Sequence, residues 1–303
     1  MNIPQALAEK LGFSRRNVLW IALLVLLYVA VSLSLSILRW MEFHTTNWDL
    51  GIFQQALWST SHGRLLWESG DFATNGVSSF LQIHPAPILL ALVPLYWIAP
   101  SAATLFAVQS VVVAAAAVPL AMLAKDLSGS ERNGVVVAGL YLIQAAILGA
   151  TLYDFHLEAF FPVEVFLLVL FWTRSRYLLV VLMSILTMIT LEVGPVLVAS
   201  VALFFVSPAA LKLTRGLVQR WRARNSRPSL RNVWQRSLSE SEIRTFRFGV
   251  AIFIAALLGY VALRALQYEI IGQIVGGPPL GSTLTGLGPA GIGLSLQNLA
   301  IGF

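Results

Sequence analysis

Long apolar stretches alternate with short polar breaks throughout this chain, and their lengths define its elements. The first, 17–38, runs 22 residues without a charge, enough to cross the roughly 30 Å hydrocarbon core of a bilayer as a helix. Further apolar segments fall at 86–100, 101–124, 134–152, 159–173, 177–211 and 248–266. Segment 86–100 has 15 residues and prolines at 85, 87, 94 and 100. At about 1.5 Å per residue it reaches only about 22 Å, and its prolines interrupt backbone hydrogen bonding. It is therefore predicted to be re-entrant or interfacial rather than spanning. The stretch 177–211 is interrupted by Glu192-Val193-Gly194-Pro195, a carboxylate followed by a helix breaker, which divides it into helices 177–191 and 195–211. Each is short for a full crossing, so Glu192 is expected at the end of a shallow hairpin, recessed below the surface. The Gly/Pro-rich stretch 272–289 reads as a loop. The chain stops at Phe303 inside another apolar stretch, and we expect a C-terminal continuation.

Composition gives the same class. The chain is 57% hydrophobic and 11% charged, with a mean hydropathy of +0.78, where a soluble domain carries roughly 25% charge. The predicted fold is all-α, a single polytopic transmembrane domain over 1–303. Arg15-Arg16 precede the first apolar run, but that run is too long for a cleaved signal and reads as an uncleaved anchor. The absence of cysteine excludes disulfides, thiolate nucleophiles and Cys-based zinc sites. The net charge of +6 comes from one place: residues 212–247 hold ten Lys or Arg against Glu240 and Glu242. Such a loop is a cytoplasmic topology determinant or a lipid-headgroup contact, not a nucleic-acid surface.

Loop charge orients the segments. Lys10, Arg15 and Arg16 place the N-terminus in the cytoplasm, and Lys125/Arg132, Arg174/Arg176 and 212–247 mark further cytoplasmic loops. With 86–100 kept on the outer face, 101–124 crosses inward, 134–152 outward and 159–173 inward. Residues 39–85 and 154–158 and the Glu192 break then share the outer side. Were 86–100 to span, Asp154 would lie opposite Asp49.

This topology gathers Glu42, His44, Asp49, His62, Glu68, Asp71, His84, Asp154, His156, Glu158 and Glu192 on one side, with Arg39, Arg64 and Arg264 as its basic residues. Ionisable groups at a membrane boundary are costly to desolvate and point to function. Residues 48–61 are predicted to form an amphipathic helix on the membrane surface, with Asn47 as N-cap, Asp49 in the first turn and Leu50, Phe53 and Leu57 as its apolar stripe. Asp49 either stabilises that helix start or does chemistry, and the pattern leaves both open. Asp154 and Glu158, four apart, share a face if a helix continues through them, and His156 joins them if the chain is extended. Together with His84 they suit binding of an acceptor or a divalent cation. Helix capping by Asp154 and interfacial hydrogen bonding by His156 fit equally well. Glu192 is a recessed acid that needs a partner or water, and Glu164, inside 159–173, is a second one.

Four runs carry a resemblance: Asp49-Leu50-Gly51-Ile52-Phe53-Gln54-Gln55-Ala56-Leu57-Trp58, His62-Gly63-Arg64, His84-Pro85-Ala86-Pro87-Ile88-Leu89 and Tyr153-Asp154-Phe155-His156-Leu157-Glu158-Ala159. In them the chain resembles a family of polytopic membrane proteins of unknown function (domain of unknown function 2079), placed in the GT-C glycosyltransferase superfamily. The resemblance implies a GT-C-like helical bundle with interfacial helices in the first outer loop. It implies Asp49 as the catalytic or acceptor-binding acid and Asp154 as a second acid from the next outer loop. The reaction it implies is transfer of a sugar from a polyprenyl-phosphate donor to a glycan or protein acceptor at the outer face of the plasma membrane. Arg39 and Arg264 are the cations available for the donor phosphate, and the Glu192 hairpin is where a lateral groove for the isoprenoid tail is expected. A Lys-Glu-Asp motif of the family stands here as Leu191-Glu192-Val193, with only the glutamate kept. The competing readings are a lipid or solute transporter that uses the acidic cluster for cation or proton binding, and a structural envelope subunit.

Overall fold

The computed structural model describes residues 5–70, 79–222 and 237–267. Asp71, the middle of the basic loop and the 272–289 stretch lie outside these residues. Every regular element among the described residues is helical, and with the family finding given below the protein is an all-α polytopic membrane protein. A short helix α1 (Gln5–Leu11) leads into α2 (Arg15–Met41), whose 27 residues reach about 40 Å. One stripe of α2 packs inward through Val18, Ile21, Tyr28, Ser32 and Ser36. Its other faces expose Leu23, Leu26, Leu27 and Val31, the all-round apolar character of a helix in lipid.

After a wide turn over Asn47–Gly51 the chain forms α3 (Ile52–Ser61), then α4 (Phe80–Ile83) and α5 (Leu89–Ile98). Helices α6 (Ala102–Ala115) and α7 (Ala117–Ser128) follow and together make one span-length rod. That rod is 61% buried in its most apolar window, against 22% for α2, so it is the central helix of the bundle. The predicted 134–152 helix is broken: α8 (Glu131–Leu142) and α9 (Ala145–Leu152) meet at 49°. A single turn over Leu157–Phe160 opens α10 (Phe161–Thr173), followed by α11 (Tyr177–Thr190), α12 (Gly194–Arg222) and α13 (Glu240–Ala265). Among the described residues four helical stretches are long and apolar enough to cross a membrane, or five if the bent α8–α9 pair is one span.

Three of these helices are set apart by their lengths. Helix α5 has ten residues, with Pro94 inside, and α11 fourteen, so neither reaches the roughly 30 Å of a bilayer core. Helix α12 runs 29 residues, well past 211, because Leu, Lys, Arg and Gln after the apolar run are good helix formers. The hairpin is thus a short helix beside a full-length one, not two short ones.

The two ends of the bundle differ in chemistry. At one, Glu131 accepts from the Ser14 N–H (2.8 Å) and the Asn17 amide (2.7 Å), Lys125 donates to the Gly12 carbonyl (2.7 Å), and Arg174 binds Asp126 through two nitrogens. The bonds from Ser14 and Asn17 hold the Glu131 carboxyl below its ordinary range. At the other end of α2 lie the loops that carry Asp49, His84, Asp154 and Glu192. Beneath them one apolar cluster joins Leu50, Phe53 and Leu57 of the 47–61 region to Phe80, Leu89 and Phe155. The stripe predicted to face the membrane surface therefore packs against protein. Trp48 and Trp58 are the exposed residues of that segment.

Candidate functional site

Thr46 is the hub on which the site is built. Its backbone N–H donates to Asp154 Oδ2 at 2.5 Å, and its hydroxyl donates to Asp49 Oδ2 at 2.9 Å. The same hydroxyl oxygen lies 3.3 Å from the Asp49 N–H and caps the turn. The capping residue is thus Thr46 and not Asn47, which lies inside the wide turn. A single threonine touches both acids, 49 and 154, and puts them at the same end of the bundle.

Asp49 has two further partners. The Tyr153 hydroxyl donates to Oδ2 at 3.3 Å, and His156 Nε2 stands 3.2 Å from Oδ1. The Asp49 charge beside it pushes the Tyr153 phenol above its ordinary value of 10.0. The other nitrogen of His156, Nδ1, lies 2.8 Å from the Asp154 carbonyl. A carbonyl only accepts, so Nδ1 carries a hydrogen. Nε2 then faces the Asp49 carboxyl at ion-pair distance.

Asp154 is 1% exposed, and its Oδ1 has no hydrogen-bond partner. The loop that holds it is braced by Gln109 of α6, a residue the apolar pattern gave no reason to single out. The Gln109 amide donates to the Thr151 carbonyl (3.0 Å) and the Asp154 carbonyl (3.2 Å), and accepts from the His156 N–H (2.8 Å). Phe155 points the opposite way into the core, edge-on to Phe53 at 5.1 Å. The chain is extended at His156 (φ −141°, ψ 142°), the condition under which His156 joins its neighbours. The same extension breaks the shared helical face expected of Asp154 and Glu158. Asp154 is buried while Glu158 is exposed.

A second acid–imidazole pair faces the first. His84 ends α4 in an extended conformation, and its Nδ1 lies 2.7 Å from Glu192 Oε1. The Ile88 N–H bonds the Ile189 carbonyl (3.1 Å) and fixes the two segments together. Close approach of α11 and α12 requires glycine at 194: a Cβ there would fall 1.8 Å from the Thr187 carbonyl oxygen. Burial raises the Glu192 carboxyl, but the His84 hydrogen bond and the charges of His84 and Arg264 outweigh it, and the net shift is downward. Its Oε2 is buried without a hydrogen-bond partner. Glu164 is 2% exposed and accepts from the Thr190 hydroxyl at 2.7 Å, so it is tied to the end of α11 next to the same break.

The two cations expected near the site flank it and do not line it. Arg39 donates to the His44 carbonyl at 2.8 Å, and its charge is felt by Tyr153. Arg264 binds Gln267 at 2.7 Å, and Gln267 in turn donates to the carbonyls of Gln82 and Ile83, which ties the end of α13 beside His84. His62 stacks on Trp58 at 4.1 Å and lies 2.8 Å from the Trp58 carbonyl, a local helix-end arrangement. His44 lies 3.7 Å from Glu42, both exposed.

Between the two pairs lies a cavity of about 260 Å³, lined among others by Trp48, Asp49, His84, His156, Glu158 and Leu191. An apolar groove of about 410 Å³ between α6, α9 and α10 shares His156 and Glu158 with it. This groove is away from the 191–193 break, where the tail groove was expected. The residues do not fit a divalent cation. Among the described residues no three of His, Asp or Glu converge on one point, and both nitrogens of His156 are engaged.

The family described as "Predicted membrane protein (DUF2079)" matches residues 39–267, roughly three-quarters of the chain. No curated protein and no solved structure matches it.

Proposed function

This chain belongs to the family of predicted membrane proteins (DUF2079), and we propose that it is a membrane glycosyltransferase of the GT-C kind. On this reading it moves a sugar from a polyprenyl-phosphate donor to a glycan or protein acceptor on the outer face of the plasma membrane, with its N-terminus in the cytoplasm. The observation that carries the reading is the setting of Asp49. Its carboxylate is oriented by Thr46, Tyr153 and His156 on the wall of a cavity that shares His156 and Glu158 with an apolar groove. That is the polarity profile of a lipid-linked substrate.

In the proposed step the acceptor hydroxyl oxygen bonds to the anomeric carbon as the bond from that carbon to the donor phosphate oxygen breaks. The electron pair leaves with the phosphate. The acceptor proton passes to Asp49, which Thr46, Tyr153 and His156 hold in place. Trp48 at the rim offers an aromatic face to a sugar ring, and His84 and Glu158 offer polar contacts. Arg264 and Arg39, one on each flank, are assigned to the phosphate. Asp154 and Glu192 act from behind, by holding the Thr46 turn and His84.

The test is Asp49→Asn in membranes supplied with a sugar-charged polyprenyl phosphate. Transfer should fall by about 10²–10⁴-fold, the contribution of a general base, with an unchanged thermal midpoint. Wild-type transfer by that variant would end the reading. A transporter gains one observation here, the second helix break at 143–144. Yet the groove beside that break has no acid, histidine, lysine or arginine in its lining, so it supplies no cation site. Solute or lipid flux without glycan product would favour transport.

A further inference from the structure

We propose that the groove between α6, α9 and α10 holds the hydrocarbon chain of the donor lipid, with the head group turned over His156. This rests on the transfer reading above and says where the donor lies. The groove, about 410 Å³, is within the roughly 300–1,000 Å³ of small-molecule sites. Val113, Ile147, Ala150, Ala159 and Pro162 make its walls, and its acid and imidazole are Glu158 and His156, which also line the polar cavity. Apolar surface in a bilayer attracts any lipid tail, so a groove alone says little. What distinguishes this one is the change of character along it.

Two other apolar grooves, of about 200 Å³ beside α2, α8 and α9 and about 350 Å³ beside α2 and α7, have no acid, histidine, lysine or arginine in their linings. Tyr153 forms the seam of the first groove. It lines the groove, its ring tilts against His156 at 5.1 Å, and its hydroxyl reaches Asp49. An aromatic residue with one apolar and one polar end suits the point where a chain meets its head group.

Gly149 gives a clean test. It lines the groove, and a Cβ built on it meets no heavy atom within 4 Å. Gly149→Leu therefore adds volume to the groove without a backbone clash, at a helical position where leucine is favoured over glycine. Ala150→Phe blocks the same space from the next residue. The probe is a polyprenyl phosphate that carries a diazirine in its chain, photolysed with the full-length protein in nanodiscs and mapped by mass spectrometry. Labels should fall on 113 and 147–162, and excess unlabelled polyprenyl phosphate should remove them. Either variant should cut labelling about tenfold, a change of about 1.4 kcal/mol in affinity. Gly139→Leu, in the α2/α8/α9 groove, should leave it unchanged.

Equal labelling of wild type and both groove variants overturns the proposal. So does equal competition by phosphatidylglycerol, which would mean bulk lipid. The two readings fail separately. Full transfer by Gly149→Leu and Ala150→Phe sinks the groove and leaves the enzyme, whereas specific labelling without any transfer sinks the enzyme and leaves the groove.

Discussion

Gln109→Glu changes one atom of a buried amide and should unseat the whole Asp154 loop. Gln109 is 1% exposed, and its Nε2 faces the carbonyls of Thr151 and Asp154 at 3.0 and 3.2 Å while its Oε1 takes the His156 N–H at 2.8 Å. Glutamate has the same shape but puts a carboxyl oxygen where two carbonyls need a donor. Leucine at 109 removes these bonds and a longer one to the Ala150 carbonyl (3.4 Å). It leaves the His156 N–H and the Thr151 carbonyl without that partner, while the Asp154 carbonyl keeps His156 Nδ1. Two unsatisfied buried groups cost about 1–3 kcal/mol each, so about 2–6 kcal/mol. At about 2–4 °C per kcal/mol for a chain above 150 residues, the thermal midpoint of Gln109→Leu in detergent should fall by about 4–24 °C. Gln109→Glu should fall at least as far, which a purely steric account does not predict. A second readout isolates the site: with histidines labelled at ¹³Cε1, the chain gives four signals, assignable by single His→Gln variants. Both Gln109 variants should displace the His156 signal and leave those of His44 and His62 in place. A Gln109→Glu protein with the wild-type midpoint and an unmoved His156 signal would refute the bracing role.

Glu192 supplies a pH test. Its carboxyl is held below the ordinary value of 4.5, so its contribution to stability is present above the unfolded-state value and lost as pH falls through the folded-state value. Wild type should therefore be more stable than Glu192→Gln at neutral pH, and that advantage should shrink below about pH 4.5. An advantage that grew on acidification would contradict the His84 pairing. The Tyr153 phenol, raised first of all by the Asp49 charge, should titrate closer to 10.0 in Asp49→Asn, read as the difference in tyrosinate absorbance from the matching Tyr153→Phe background. Gly194→Ala must move α11 from α12, since its Cβ would meet the Thr187 carbonyl oxygen at 1.8 Å. Overpacking of this sort costs about 1–3 kcal/mol or more, and a variant with the wild-type midpoint would rule out the close approach.

What the sequence made legible was whatever lipid dictates. The 22-residue run of α2 and the Glu192-Val193-Gly194-Pro195 interruption could be read because chain length against bilayer thickness and backbone breakers leave local marks. The break at 143–144 left none: Ile143-Gln144 contains neither glycine nor proline, and both residues are compatible with a continuous helix. Hydropathy also misjudged α12, since it reports where lipid ends and not where helix ends. Within the site, the acids and histidines were visible by type, but their partners were not. The Thr46 N–H meets Asp154 across 108 residues, and Gln109 meets the same loop across 45. Nothing in either local pattern foretells such meetings. His62 and His156 looked alike in the chain, yet one folds back on its own helix end and the other meets Asp49.

The choice of histidine as the partner of both Asp49 and Glu192 has a physical logic. A carboxylate near the hydrocarbon boundary needs an opposing charge or donor that stays with it. Lysine and arginine stems are long enough to carry their charge away toward water, and here Arg39 and Arg264 do stand outside the cavity lining. An imidazole is short, and its second nitrogen can be tied to the backbone, as His156 Nδ1 is to the Asp154 carbonyl. Its position is then set by the fold and not by solvent. Such a partner keeps an imidazole nitrogen 3.2 Å from the Asp49 carboxyl where the linings of the polar cavity and the apolar groove meet. A long charged stem free to swing toward water would leave the acid there without its partner.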